Sequence, residues 1–301
     1  MNAALTGGSF GPASIGAMKR IALLISAMAG GLAVPAPAFC AERVSGAAYS
    51  LSGNDLLYHE TQYVYRGGTA RVVLYSCPDG RAFARKRVSP TEDALAPDFE
   101  LVDAHLGYRE GVRDRGSQRE VFVQRRANLP EQAAPLSLPA GGVIDAGFDA
   151  FAQRHWDDLV RGRSLPFSYL VPSRRTFYNF KVGRIDAATP AGRTMKIRLS
   201  ASNWFSFLLP HIDVVYDLPS HRVVHYEGLS NIRGDDGKNY KIRAEFPVVG
   251  AQSDVPESEV DAALRMPLAS GCSAADTRVS ADGQPTVPEV TIARAPRNPN
   301  P

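Results

Sequence analysis

Histidines and cysteines are the first residues to weigh for chemistry, and the chain has six of one and three of the other. His221 and His225 have the i, i+4 spacing that chelates a metal ion on a helix. The intervening Arg222-Val223-Val224 reads as strand, however, and four residues of strand span about 13 Å, too far for one ion. His59-Glu60 lies in another strand pattern, without the continuation of a zinc-protease helix. Beyond residue 41 there is no Gly-x-Ser-x-Gly elbow and no phosphate-cradling glycine loop. A Ser, His and Asp assembled from distant positions stays open, because triads are defined by geometry. Arg233-Gly234-Asp235 reads as the start of a turn, Gly234-Asp235-Asp236-Gly237, and its two aspartates fall short of a calcium loop. The expectation is no metal, no cofactor and no catalytic residue.

Aromatic side chains suggest something else, the burial of an apolar ligand. Phe148, Phe151, Ala152, Trp156 and Leu159 recur at helical spacing and make one wide stripe. Asp145 stands where an N-cap would, and Gly162 where the helix would stop. The bland reading of this stripe is packing against a sheet. The sharper reading is that Phe148, Phe151 and Trp156, with Tyr178 and Phe180 from a facing strand, line a groove. Between two alternating strands, where a connection is normally polar, stands Asn203-Trp204-Phe205-Ser206-Phe207-Leu208-Leu209-Pro210. It reads either as a buried helix or as an apolar lip, with Trp204, Phe205 and Leu208 at the groove rim. Arg174 and Arg175, beside a strand, are candidates to meet an anionic head group and otherwise are solvated residues.

These residues need a scaffold, and the chain supplies mostly strands. Leu56 to Tyr65, Thr69 to Ser76 and Arg81 to Val88 are separated by short gaps containing Gly or Pro, the pattern of an antiparallel meander. Further segments are Phe99 to Asp103, Tyr108 to Arg113 and Glu120 to Arg125. A Pro- and Ala-rich connection runs from Ala127 to Gly142. After the helix come Pro166 to Val171, Thr176 to Ile185, Met195 to Leu199, Ile212 to Leu218, Arg222 to Tyr226 and Tyr240 to Phe246. Clean alternation in several of them implies one buried and one wet face. Pro256 to Leu264 reads as a short helix. The predicted fold is mainly β with some α: a large curved antiparallel sheet or incomplete barrel of about ten or eleven strands, with one or two helices in its concave face.

The N-terminus reads as a secretory signal peptide over 1–41, with Met18 as an alternative start. Lys19 and Arg20 form a basic region, Ile21 to Val34 an apolar one, and Ala36 and Ala38 suit a cleavage site. Cleavage after Cys40 or Ala41 is an alternative. The apolar stretch is short and broken by Gly30, Gly31, Pro35 and Pro37, so no stable membrane span is expected. Phe39 before Cys40 argues against a lipid-anchored cysteine. The mature chain would be one β-rich domain over 42–272 and a disordered tail over 273–301. The formal net charge is +3. Removing 1–41 takes two cations and no acids, so the mature chain is close to neutral, which excludes charge-driven nucleic-acid binding. In an oxidising compartment Cys77 and Cys272 either pair or remain two thiols. Pairing would be worth about 4–5 kcal/mol on the chain-entropy account.

Ile212-Asp213-Val214-Val215-Tyr216-Asp217, Arg222 to Gly228, Ser230-Asn231-Ile232-Arg233 and Gly237-Lys238-Asn239-Tyr240 together resemble a group of uncharacterised bacterial periplasmic proteins. More loosely, they are similar to the last strands of lipoprotein carriers of the LolA/LolB type. That resemblance implies an incomplete barrel that wraps helices and accepts acyl chains, with no catalytic residue. The expected function is therefore an exported, periplasmic, non-enzymatic carrier of a lipid or other hydrophobic small molecule. The rivals are a cell-envelope module that binds a protein partner, and a hydrolase with a dispersed site.

Overall fold

The computed structural model describes residues 41–186, 192–202 and 211–272. Among them, fifteen strands form a single sheet. The first arm is an antiparallel meander: β1 (Glu42–Ser50), β2 (Leu56–Tyr65), β3 (Ala70–Ser76), β4 (Ala82–Ser89), β5 (Asp98–Asp103), β6 (Tyr108–Asp114), β7 (Arg119–Gln124) and β8 (Gln132–Pro135). The chain then makes β9 (Gly142–Val143), two short helices α1 (Gly147–Arg154) and α2 (Trp156–Val160), and β10 (Leu165–Val171). The second arm continues through β11 (Thr176–Arg184), β12 (Thr194–Ala201), β13 (Ile212–Asp217), β14 (Arg222–Arg233) and β15 (Asn239–Glu245). A last helix, α3 (Glu257–Arg265), follows.

The spatial order runs from β8 back to β1, then β15 down to β9. The first and last strands therefore pair at the middle, with Ala48 opposite Ala244. The two outer edges are β8 and β9, and only the residues between Pro135 and Gly142 join them. Fully extended, that tether reaches roughly 25 Å. A flat sheet of fifteen strands would be about 65 Å across. The sheet must therefore curl until its edges approach each other. It remains unclosed, because β8 and β9 are not paired. Leu170 and Phe177 of the second arm pack with Phe99, Val112 and Val121 of the first in one buried cluster, as the curl requires.

Strand register identifies the inner wall. Met195, Ile197, Leu199, Val214 and Tyr216 share a face and cover Phe151, Ala152 and Leu159 of α1 and α2. Ala48, Tyr58, Val73, Tyr75, Ile242 and Ala244 continue that wall across the central seam. Tyr226 and Val223 touch both clusters. Helix α3 lies on the opposite face of β3, where Val260 and Ala263 meet Val72 and Leu74.

Several sequence expectations need correction. Strand β1 and the short edge strands β8 and β9 fall where no strand was expected, β8 inside the supposed connection 127–142 and β9 across its end. The sheet is mixed, since β9 runs parallel to β10 with α1 and α2 crossing between them. Asp145 is not the cap: Ala146 is, without a side-chain cap bond, and Asp145 has φ +44°. Its carboxylate turns instead to Lys86 Nζ at 3.1 Å. The helix breaks at His155, so Trp156 leaves the Phe148–Phe151 face and packs on Tyr216 and His221.

Cys77 and Cys272 form a disulfide that ties the end of the described chain to the turn just after β3. The segment before Cys272 lies along β4, with Ala269 N–H donating to the Ala82 carbonyl at 2.7 Å and Arg85 to that of Met266 at 2.8 Å. Replacing both cysteines by serine should lower the unfolding free energy by about 3–5 kcal/mol, read by equilibrium denaturation. On the outer wall, Asp213 receives Arg198 at 2.6 Å and Lys196 at 2.9 Å. The Arg198 bond holds its carboxyl down to about 2, against an ordinary 3.8. That stabilisation is complete above pH 4 and fades as pH falls through 2. Allowing for solvent around both cations, Asp213→Asn should cost about 1–2 kcal/mol at pH 7 and flatten the stability profile between pH 4 and 2.

Candidate functional site

Strand β10 and helix α1 build a row of rings. Phe167 lies 5.1 Å from Phe151, 5.6 Å from Phe148 and 5.9 Å from Phe180, centroid to centroid. Tyr169, two residues along the same face, sits 6.3 Å from both Phe167 and Phe180. The register that pairs Phe167 with Phe180 and Tyr169 with Tyr178 sets this row. On its open side lies a cleft of about 580 Å³, with Leu95, Phe151, Phe167 and Phe180 on its apolar side and Arg154, His155, Ser168, Asn179 and Ser202 on its polar side. That volume suits a small organic ligand with both apolar and polar parts.

Of the residues expected to line a groove, Phe148, Phe151 and Phe180 come together, joined by Phe167, which the sequence reading passed over. Trp156 packs against the same buried cluster, with its ring stacked on His221 at 3.9 Å. Tyr178 shares the face of Tyr169 and Phe180 by register, with 46% of its surface exposed. Trp204, Phe205 and Leu208 lie outside the described residues. Arg174 and Arg175 are exposed at the tip of the β10–β11 hairpin, beyond the Tyr169–Tyr178 pair and away from the phenylalanine row. His225 lies on β14 and His221 in the turn before it. Asp235 of the expected turn reaches His105 Nε2 at 2.6 Å.

Past Tyr169 the inner wall turns polar. Glu60 of β2, Arg71 of β3, Lys86 of β4 and Glu110 of β6 all occupy inward positions of the register. Asp145 and Asp149 reach them from the entry to α1 and from its first turn: Asp149 takes Arg71 at 2.6 Å, Asp145 takes Lys86. Glu60 accepts only the Gln62 amide at 2.7 Å, and Glu110 only the Tyr108 hydroxyl at 2.5 Å. Neither forms an ion pair among the described residues. Burial drives both carboxyls above the ordinary range, against the pull of Lys86 on Glu60 and of the Tyr108 bond on Glu110. Burial also pushes the Tyr169 and Tyr226 hydroxyls up. Glu60, Tyr169 and Tyr226 nevertheless keep accessible surface, so the wall they line is not sealed by packing. Ionisable groups shifted by burial and gathered on one inner wall make that wall a candidate site, next to the phenylalanine row through Tyr169.

The signal for these residues was present in the sequence. Tyr58-x-Glu60-x-Gln62 and Tyr108-x-Glu110-x-Val112 each place a carboxylate on the inward face of a strand, next to Tyr58 and Gln62 in one and between Tyr108 and Val112 in the other. A charge on the core face of a strand is unfavourable unless a partner or a function holds it there. Glu60→Gln should therefore raise the melting temperature at pH 7 by a few degrees. The sign follows from the raised carboxyl: its ionisation destabilises the fold as pH rises past 4.5, so the gain should vanish below about pH 4. Thermal melts of both proteins at pH 4 and 7 provide the check.

No family model and no curated protein matches this chain. Nine chains of solved structures do match. One is the crystal structure of a beta-barrel-like protein of a domain of unknown function, DUF1849, from Brucella abortus, similar at a TM-score of 0.41 and 7% identity. The match covers 73% of this chain and 98% of that one. On its own fold, the described chain is an unclosed, barrel-like β sheet wrapped around two short helices.

Proposed function

We propose that this chain is exported to the periplasm and there binds or carries a lipid or a similar hydrophobic small molecule, without catalysing a reaction. The observation that carries the reading is the row Phe148–Phe151–Phe167–Phe180, of which Phe151, Phe167 and Phe180 line a cleft of about 580 Å³. Burying an apolar group on such a row gains about 25 cal/mol per Å² removed from water. An unclosed barrel with helices against its concave wall is also what the likeness to LolA/LolB-type carriers implies. Ala41 is buried against α3, and its carbonyl accepts the Val255 N–H at 3.0 Å. This favours signal cleavage before Ala41.

The test has two parts. Native mass spectrometry of protein purified from its own host should show a retained apolar molecule. The neutral fluorophore N-phenyl-1-naphthylamine should bind the purified protein, and Phe167→Ser should weaken it about tenfold or more, the loss expected for one buried ring. A clean apo mass together with no fluorophore binding would overturn the reading.

A further inference from the structure

The polar wall behind Tyr169 carries atoms that the folded chain leaves without partners. Asp145 engages Lys86 through Oδ1, while its Oδ2 is buried with no hydrogen bond. Its side chain is only 5% accessible. Tyr216, on the same inner wall, buries its hydroxyl unpartnered too. The charges of Asp149 and Arg71 are felt at that hydroxyl, and those of Asp145 and Glu110 at Tyr169. Leaving such a buried group unmade costs about 1–3 kcal/mol each. A bound molecule that satisfied them would recover that cost.

The charge balance selects the kind of molecule. Arg71 is paired with Asp149, Lys86 with Asp145, and Arg233 is stacked 3.7 Å above the Tyr108 ring. The surplus is carboxylate: Glu60 and Glu110 each receive one neutral donor, and Asp145 keeps an open oxygen. An anionic head group would meet these acceptors with its own charge. The acceptors come from different walls, and among the described residues no three acidic, histidine or cysteine side chains converge on a point that could hold a metal ion. Spread acceptors suit a cation with several N–H donors. Tyr169 and Tyr226, on the same wall, have the π faces that attract such a cation.

We infer that the barrel interior receives the ammonium head of an amphipathic amine, with Asp145 and Glu60 accepting its N–H donors and its apolar chain lying along the Phe151–Phe167–Phe180 row. This deepens the reading of the cleft as a hydrophobic site and rests on it. The two can fail separately.

The experiment is displacement of N-phenyl-1-naphthylamine from the full chain at pH 7 by three twelve-carbon competitors: dodecylamine, dodecanol and dodecanoate. Dodecylamine should displace the fluorophore at least tenfold more effectively than dodecanol, and dodecanoate should be weakest. In Asp145→Asn and in Glu60→Gln the amine-to-alcohol ratio should fall toward one. If dodecanoate matches or exceeds dodecylamine, the head-group assignment is overturned while the hydrophobic site stands. Undiminished amine preference in both variants overturns it as well. If none of the three displaces the fluorophore, the site itself is wrong and the inference falls with it. Should one variant fail to fold, the other variant and the order of the three competitors on the unaltered protein still decide.

Discussion

The tether between Pro135 and Gly142 governs the rest of this structure. It joins strands at opposite ends of a fifteen-stranded sheet, and it is too short for any arrangement but a curled one. Curling gives the sheet an inside. It brings Leu170 and Phe177 of one arm onto Phe99 and Val121 of the other. It also puts α1, which follows the tether directly, between Arg71 and Lys86 on one wall and Phe167 on the other. A closed barrel would have filled that inside by pairing its edges. An open sheet without the tether would have had no inside to fill.

The inside is divided by chemistry. One part is a row of phenylalanines ending at Tyr169, the other a wall of carboxylates, two cations and tyrosines. Tyr169 belongs to both, its ring against Phe167 and Phe180, its hydroxyl under the influence of Asp145 and Glu110. Apolar groups pack there without a directional partner, whereas the polar groups need partners that the fold supplies only in part. Asp145 shows the tension most directly. Its backbone takes a left-handed conformation that a non-glycine residue seldom adopts, and its side chain forgoes a helix cap to sit in the interior.

How much of this could be read from the sequence depended on which face a residue serves. Strand β2 begins and ends at Leu56 and Tyr65, as its alternation predicts, and β3, β4 and β11 to β13 follow the same logic. Strand β1 was hidden because its inward residues are Val44, Gly46 and Ala48, too small to write an apolar stripe. The absence of a side chain at Gly46 has a cause just past the end of β15: a Cβ there would stand 2.4 Å from the Phe246 ring. Strands β8 and β9 are short edges held by few bonds, and propensity says little about such pieces. At the site, Phe148, Phe151 and Phe180 were legible as aromatic residues at regular spacing. Glu60 and Glu110 were legible singly, as carboxylates on inward strand positions of the first arm, but the arrival of Asp145 beside Lys86 was not, because it depends on the curl that brings the entry to α1 back onto that arm.

The seam between β1 and β15 also sets the order in which the molecule can come into being. Ala47 pairs with Glu245, so the first strand to leave the ribosome waits for the last. Each arm is a meander of local hairpins and can zip as it is made, but the seam needs almost the whole chain, and contacts this distant in sequence slow folding. Until then β1, and later β15, each expose an unpaired edge, the kind of surface that seeks strands of other chains. The molecule is therefore at its most vulnerable before the seam has formed. The disulfide from Cys77 to Cys272 then fastens the far end of the described chain back to the first arm.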